Sequence, residues 1–362
     1  MALVWPPLSS LPFPIRRLWM LARGVLVDRD KPNFGHLASI QDPERFVWAI
    51  LPHAARSFAP SILLLSEGDA RAAAVGYLYA RMLDTYEDLS TVPAEARKAL
   101  ALFAMRFDTE QPGQAPASPS PTNPDLRDET HLLLVQRHRL VDEVFMGLDS
   151  PTRARIRRLV QDMAAGMIEF STIFEGQQGV LDDQGQVLDY CHRVIGLPAL
   201  FVMEALLGRV SGDHHRDALE VSELLQLANI TRDIEKDLQR GVAYHPALRA
   251  HLGSNGEGVS AVAVAVARRD LILLATRRAP SFRRLVDTVD LPRLSPARAA
   301  AVLMVLFTER HYRDCAVEAG MRPWSGSRPG SALVLTSLPA AFSPKWANRV
   351  MVRVETDLLA TV

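Results

Sequence analysis

An acidic cluster in an otherwise apolar segment is the first feature of this 362-residue chain that could do chemistry. Within residues 225–244, Asn229, Asp233 and Asp237 follow one another at intervals of four, before Gly241. On a helix their side chains share one face, and the leucines and isoleucines between them supply apolar surface for burial. Two carboxylates one turn apart repel each other by roughly 0.2–0.5 kcal/mol. Such a cluster either lies on a solvated face or holds a cation.

A second acidic cluster lies far upstream. Asp84, Glu87 and Asp88 stand at i, i+3 and i+4, and Tyr77 and Arg81 precede them on roughly the same side of a predicted helix. Alone, this cluster also fits a solvated face. Two oxygen-rich clusters on separate apolar helices are typical of Mg²⁺ sites, in which carboxylates share the ion with water and phosphate oxygens. Together they predict a site that binds divalent cations and stabilises a diphosphate leaving group.

The sequences of these two clusters, LDTYED and QLANITRDIEKD, resemble the two aspartate-rich motifs of the squalene/phytoene synthase family. Other motifs follow in the family's order: ARSF at 55–58, AGM at 165–167, DYCHRVIGLP at 189–198 and, less closely, RGVAYHP at 240–246. The form LDT-x-ED is nearest to the squalene synthase branch. The likeness carries matched motifs from Pro52 to Pro246 and continues more loosely towards Gly320.

The resemblance implies a fold as well as metal ligands. The fold is a single all-α domain with a central cavity, the class I isoprenoid synthase fold. The implied cation is Mg²⁺, with Mn²⁺ as an alternative. Its implied ligands are the carboxylates of Asp84, Glu87, Asp88, Asp233 and Asp237.

The resemblance also implies catalytic and substrate-binding residues. Arg81 and Arg232 would act on the diphosphate, which guanidinium groups bind in pairs of hydrogen bonds, and Tyr190 would act in the coupling step. Without the family, the two arginines fit intrahelical ion pairs and Tyr190 fits a buried tyrosine with a bonded hydroxyl. The implied substrate contacts are Arg56, Ser57, Phe58, Tyr77, Gln226 and Asn229.

The implied reaction joins two farnesyl diphosphates. One substrate ionises, the double bond of the other attacks the cation, and proton loss gives presqualene diphosphate. A second ionisation, a rearrangement and a hydride from NADPH then give squalene.

Three departures from the family pattern weaken the reductive half of this reaction. Lys236 replaces a carboxylate in the second acidic motif, and Val242 replaces a basic residue. The segment Gly320–Gly330, where squalene synthases carry lysines that help to bind NADPH, has none, and the chain has no glycine-rich dinucleotide fingerprint. An alternative is therefore a relative that stops at presqualene diphosphate, makes a phytoene-type product or cyclises one prenyl diphosphate.

A second alternative, from another class, is a non-catalytic relative that acts in assembly. Such a relative would be expected to lose its metal carboxylates, whereas this chain keeps five. The arginine-rich segments Arg153–Arg158 and Arg277–Arg284 are the residues that favour it.

Composition limits the class of protein. The 41 basic and 41 acidic residues balance, which argues against nucleic acid as a partner. Two cysteines, Cys191 and Cys315, cannot form a disulfide framework and fit a reducing compartment. No uninterrupted apolar run is long enough to span a membrane, although Ile15–Val27 could form an amphipathic helix on a membrane or on the body. We expect a cytoplasmic monomer, with peripheral membrane contact left open.

The apolar periodicity predicts an all-helical chain with one long loop. The loop, Gln111–Asp125, contains five prolines. A kink or break is expected at Gly196 and Pro198. The predicted helices are Pro43–Ala55, Gly68–Leu89, Ala94–Phe107, His131–Phe145, Thr152–Phe174, Val187–Leu207, His214–Leu238, Val259–Thr276, Ala297–Ala319 and Lys345–Leu359.

Overall fold

The computed structural model describes residues 31–253, 259–288, 295–321 and 329–360. Within these ranges the chain is helical and has no β-strand; its one β-bridge joins Val180 to Ala243. The all-α prediction is confirmed. The predicted helix at Ile15–Val27, the loop 254–258 and most of the segment 320–330 lie outside the described residues.

Contacts between Cα atoms divide the chain into two compact units, Met1–Gln161 and Asp162–Val362, and each is described by itself. The sequence prediction of one functional domain stays a prediction. The division falls within helix α8. Helices α1–α8 are Phe34–Ser39, Pro43–Ala55, Phe58–Leu63, Glu67–Leu89, Pro93–Met105, Leu126–Gln136, His138–Met146 and Ser150–Gly176.

The second unit continues with one interrupted helix and several regular ones. Its α-helices α9–α16 are Gln184–Cys191, Leu197–Leu207, Gly212–Gln239, Ala261–Thr276, Ala279–Thr288, Ser295–Glu318, Gly330–Ser337 and Pro344–Leu359, with a π-helical turn at His192–Gly196 (the π-turn) and short 3₁₀ turns at Pro246–His251 and Leu338–Ala341.

Most predicted helices begin and end within about three residues of the observed ones, because their ends carry capping residues. The side chain of Asp42 accepts a hydrogen bond from the Arg45 amide (2.7 Å) ahead of Pro43, and Asp125 and Asp128 form a reciprocal capping box. The loop Gln111–Asp125 is irregular, as predicted.

One prediction about helix continuity was wrong. The predicted helix His131–Phe145 is two helices, which meet at the non-helical residue Arg137. The kink or break expected near Gly196 and Pro198 is present as the π-turn, and Pro198 lies in the first turn of α10 directly after it.

The first unit is built around α2 and α4, which pack against each other and against α6 and α7. Tyr79 of α4 lies among Phe103, Phe107 and Phe145 at ring-centre distances of 5.0–6.3 Å. Its hydroxyl donates to Asp142 (2.7 Å), so the buried hydroxyl is satisfied. This packing fixes the buried face of α4 and leaves its acidic face partly exposed.

The second unit is built around α11, which packs against α12, α13, α14 and the π-turn. Tyr312 of α14 donates a hydrogen bond to the backbone oxygen of Leu224 (2.6 Å), inside a fully buried contact. Both cysteines are free thiols and buried, as expected for small apolar side chains.

One helical run in the described residues, Gln184–Leu207, is apolar and long enough to cross a membrane by composition, and most of it is not buried. The sequence prediction had found no such run. A core helix of a soluble protein can pass the same test, so localisation, membrane contact and the monomeric state stay predictions.

Candidate active site

The acidic residues of α4 lie along its partly exposed face. Asp84 and Glu87 are half-buried and Asp88 is exposed, whereas Leu83 and Tyr86 on the other side are buried. The helix begins at a Ser66 cap and runs for 23 residues without a proline. The predicted spacing is therefore realised, with three carboxylates on one face within two successive turns.

Arg81 connects the acidic residues of α4 to the tyrosine one turn earlier. Its guanidinium donates to the Tyr77 hydroxyl (2.9 Å) and pairs with the Asp84 carboxylate (3.0 Å). Burial lowers the pKa of Arg81, but Tyr77 and Asp84 raise it by more, so the net pKa is above its ordinary value. The intrahelical ion pair weighed for Arg81 is present and keeps the guanidinium charged beside the acidic face.

The ARSF motif lies at the junction of α2 and α3, next to Tyr77. The Phe58 ring lies 5.7 Å from the Tyr77 ring, and Arg56, Ser57 and Phe58 are all partly exposed. Arg56 has a positive φ of 48°, which is uncommon for a residue with a side chain and recurs at functional sites. The structure thus brings one predicted substrate-contact group, Phe58 and Tyr77, together in the first unit.

In the second unit, α11 carries the other acidic motif. Gln226 is buried and accepts a hydrogen bond from the Asn229 amide (3.2 Å). One turn later the Arg232 guanidinium forms a forked pair with Asp233, at 2.8 and 2.5 Å. Burial lowers the pKa of Arg232 and Asp233 raises it by more, so the net pKa is raised. Asp233 and Asp237 are both half-buried.

The remaining carboxylate of this motif, Glu235, faces another partner. Arg268 of α12 binds both of its oxygens, at 2.9 and 2.7 Å, and also donates to the Thr231 backbone oxygen (2.9 Å). Glu235 is therefore engaged in holding α12 against α11. It does not replace the acidic residue that the family has at Lys236, which is half-buried here.

Tyr190 lies in a group of four rings, the aromatic cluster, which also contains Phe170, Phe174 and Tyr244. Its ring centre is 5.3 Å from Phe170, 6.0 Å from Phe174 and 5.2 Å from Tyr244, and the tyrosine is only 8% exposed. Buried aromatic rings of this kind exclude water and present π faces to a cation. Two sequence motifs, DYCHRVIGLP and RGVAYHP, therefore meet at this cluster.

A short backbone pairing places Tyr244 in the aromatic cluster. The Ala243 amide donates to the Gly179 oxygen (2.8 Å), and the Leu181 amide donates to the Ala243 oxygen (2.9 Å). A Cβ at Gly179, which has a φ of +86°, would lie 2.2 Å from the Gly241 oxygen. Only glycine permits this approach of the two backbones.

Sequence reasoning did not identify the residues that form polar contacts next to Tyr190, at the start of the π-turn. The His192 imidazole contacts Glu223 of α11, and Glu223 also pairs with Arg278. His192 lies inside the motif DYCHRVIGLP, and Glu223 lies three residues before Gln226. Their closeness in sequence to predicted site residues is the signal that could have identified them. Arg278 and Arg284, which belong to the arginine-rich segment Arg277–Arg284, both pair with acidic residues of α11.

Among the described residues, no group of three or more His, Cys, Asp or Glu side chains is arranged to hold a metal ion. Each acidic face carries two or three separate carboxylates, a donor set that suits Mg²⁺ when water and phosphate oxygens supply the other ligands. The assignment of the five metal ligands therefore stays a prediction. The oxygen donors of these side chains and their partial exposure are compatible with it.

A known protein family matches most of the chain. Residues 51–324 match the squalene/phytoene synthase family. The chain belongs to this family. The match includes both acidic helices, the aromatic cluster and the π-turn, and it confirms the resemblance drawn from the motifs.

Curated relatives have low identity to the chain. It is 27% identical to the squalene synthase of Schizosaccharomyces pombe over 60% of its own length and 47% of the relative's. It is 30% identical to the squalene synthase of Mycosarcoma maydis (56% and 35%) and 28% identical to the lycopaoctaene synthase of Botryococcus braunii (55% and 43%). The matched parts span less than half of these relatives.

Solved structures support the fold alone. The complex of TcSQS with the ligand E5700 covers 88% of this chain with a TM-score of 0.65 and 17% identity, and the complex of TcSQS with BPH1237 has a TM-score of 0.61. The predicted all-α isoprenoid synthase fold is confirmed.

Proposed function

We propose that this protein is a Mg²⁺-dependent prenyltransferase that condenses two farnesyl diphosphates head to head, through presqualene diphosphate, to squalene. The observation that carries the proposal is that each acidic helix face holds an arginine against a carboxylate, Arg81 with Asp84 and Arg232 with Asp233. Family membership supports a prenyl diphosphate as the substrate.

The carboxylates on α4 and α11 fit Mg²⁺ by donor type and partial exposure. Bound Mg²⁺ would neutralise charge on the diphosphate and make it a better leaving group. Asp84, Glu87 and Asp88 would hold it on α4, and Asp233 and Asp237 on α11.

The arginines would bind the diphosphate oxygens that the ions leave free. Arg81 is held in place by the Tyr77 hydroxyl, so it can contribute a fixed charge without reordering. Arg232 is more exposed and would have to share its guanidinium between Asp233 and the substrate. Guanidinium groups stay charged at any working pH, so neither contact depends on titration.

Tyr190 would serve the coupling step from the aromatic cluster. Its hydroxyl can take up the proton lost when the cyclopropane ring closes while passing its own proton to the released diphosphate, and the surrounding rings exclude water that would quench the cation. Phe58 and Tyr77, which are in contact with each other, are the proposed lining of the prenyl site in the first unit.

A second candidate function is a relative that stops at presqualene diphosphate or makes another hydrocarbon. Lys236 favours it, because the neighbouring Glu235 is held by Arg268 and leaves the second motif one carboxylate short. A lycopaoctaene synthase among the relatives also supports a product other than squalene. A non-catalytic assembly role is less favoured, because the arginines at 278, 283 and 284 are used in ion pairs within the second unit.

Product analysis separates these candidates. Purified protein would be incubated with farnesyl diphosphate and Mg²⁺, with and without NADPH, and the Asp84→Asn variant would serve as the control. Squalene formed only with NADPH supports the first proposal. Presqualene diphosphate, or a hydrocarbon whose yield does not depend on NADPH, supports the second, and no turnover of farnesyl or longer prenyl diphosphates contradicts both.

A further inference from the structure

The π-turn His192–Gly196 begins two residues after Tyr190 and interrupts an otherwise continuous helical run. A π-turn adds a residue to the helical path, and such insertions are rare and frequently lie at functional sites. If this one relaxed to α-helix, residues on its two sides would rotate by about 100° relative to each other. Whatever holds the π-turn therefore also sets the direction of the Tyr190 ring.

One side of the π-turn is fixed to α11 by a buried polar chain. The His192 Nε2 atom lies 2.6 Å from a Glu223 carboxylate oxygen, and Glu223 is 6% exposed. Arg278, between α12 and α13, binds the other Glu223 oxygen and donates to the Leu274 backbone oxygen (2.5 Å). Because a carboxylate oxygen accepts, the His192 Nε2–H group donates the hydrogen bond to Glu223, and burial lowers the pKa of His192.

The other contacts of the π-turn are one ion pair and two places where a side chain packs against a glycine. Arg193 pairs with Glu169 of α8 (3.1 Å), and a Cβ at Gly166 would lie 2.8 Å from the Arg193 Cβ. A Cβ at Gly196 would lie 3.0 Å from the Leu219 Cδ2 atom of α11. The π-turn is therefore packed closely against α8 at Gly166 and against α11 at Gly196.

A buried carboxylate with two charged or polar partners is not expected where its role is only to stabilise the fold. Apolar residues of similar volume are often as stabilising as a buried ion pair, whereas removal of one partner is costly. The chain of His192, Glu223 and Arg278 does provide a defined direction, since each bond fixes the orientation of the next group. It links the segment that carries Tyr190 to the helix that carries Asn229 and Asp233.

We propose that His192 and Glu223 are positioning residues, which hold the π-turn in register and so aim the Tyr190 hydroxyl for the coupling step. This inference rests on the proposed function, in which Tyr190 touches the substrate. Neither positioning residue contacts the substrate itself.

The test places 3-fluorotyrosine at position 190 and records its ¹⁹F spectrum in the full-length protein. Glu223→Gln keeps the size of the side chain and removes its charge, and His192→Asn shortens the side chain so that it no longer reaches Glu223. Both variants are expected to shift or broaden the ¹⁹F signal. Turnover is expected to fall about tenfold or more, as for other supporting residues, with KM changed less than about twofold.

Glu309→Gln is the matched control. Glu309 is equally buried (4% exposed) and also has two arginine partners, Arg313 and Arg353, but these link α14 to α16. It should lower the melting temperature about as much as Glu223→Gln and leave the ¹⁹F signal unchanged. If Glu223→Gln does not fold, His192→Asn carries the test by itself.

The outcomes separate the inference from the function beneath it. An unchanged ¹⁹F signal in both folded variants would overturn the positioning role, whatever their activity. A shifted signal with normal turnover would confine the effect to structure and would also refute the role of Tyr190 in coupling. A shifted signal with reduced kcat, partly restored in His192→Gln, supports positioning.

Discussion

Arg81 on α4 and Arg232 on α11 hold corresponding places in the two acidic clusters, but their surroundings differ. Arg81 is 17% exposed at its side chain and is bound on both sides, by Tyr77 and by Asp84 one turn away. Arg232 is 37% exposed and pairs with the very next residue, Asp233. A pair at i, i+3 follows the helix surface, whereas neighbours in sequence point in different directions and meet only through extended side chains.

The difference indicates that the two clusters are built for different tasks. The α4 cluster is preorganised, because separating Arg81 from Asp84 would leave a largely buried charge without this partner. The α11 cluster is adaptable, because an exposed ion pair is worth only about 0–1 kcal/mol and can be exchanged for a ligand. We infer that the α4 cluster binds diphosphate as a fixed group and that the α11 cluster adjusts when it binds diphosphate.

The largest expected effect is a fall in turnover when either cluster loses one carboxylate. Asp84→Asn and Asp233→Asn should each reduce turnover by about 100-fold or more, because charge on the leaving group is then poorly neutralised. Helical content should stay normal by circular dichroism. Binding of Mn²⁺, followed by electron paramagnetic resonance, should weaken in both variants.

Asp213→Asn provides the control for this comparison. Asp213 lies in the first turn of α11 with its side chain 82% exposed, so the same chemical change should leave turnover and Mn²⁺ binding unaltered. Near-normal turnover in Asp84→Asn or Asp233→Asn would refute the proposal that both clusters bind metal.

The next effect tests the preorganised cluster against the adaptable one. Arg81→Lys should lower the free energy of unfolding by about 2 kcal/mol, since a lysine cannot serve Tyr77 and Asp84 together. Arg232→Lys should change it by less than about 1 kcal/mol. Both should reduce turnover, because an ammonium cannot form the paired bonds of a guanidinium.

Urea denaturation measures the stability difference directly. Equal destabilisation by the two substitutions would show that the two arginines are held alike. The contrast between a fixed and an adjustable cluster would then have to be abandoned.

A smaller effect is expected at Lys236. Lys236→Glu should tighten Mg²⁺ binding by about 1 kcal/mol, roughly fivefold in Kd, because a cation beside the metal ligands is replaced by a carboxylate. Isothermal titration calorimetry would measure the affinity. Lys345→Glu, the same change on the exposed surface of α16, is the control, and equal affinities in all three proteins would mean that Lys236 does not face the metal site.

The sequence predicted the helices well because their ends are encoded locally, as at Pro43 with its Asp42 cap and at Gly241 after α11. It predicted the acidic faces for the same reason, since spacing along one helix is a local property. It predicted an interruption near Gly196 but not its π-helical form, and it did not predict the Arg268–Glu235 pair, because both depend on residues far apart in the chain. Whether Arg278 is a surface charge or the buried partner of Glu223 is likewise decided by packing of α13 on α11.

The smallest effect concerns one histidine in each unit. Burial lowers the pKa of His138 in the first unit and of His192 in the second below the ordinary value of 6.5. Below pH 6.5 the unfolded chain therefore binds more protons at these positions than the folded chain, so the free energy of unfolding should fall as the pH drops from 6.5 towards the folded pKa values. Replacing either histidine with asparagine should flatten this slope, measured as melting temperature against pH. If the slope survives both substitutions, carboxylates rather than these histidines set the acid limit of the fold.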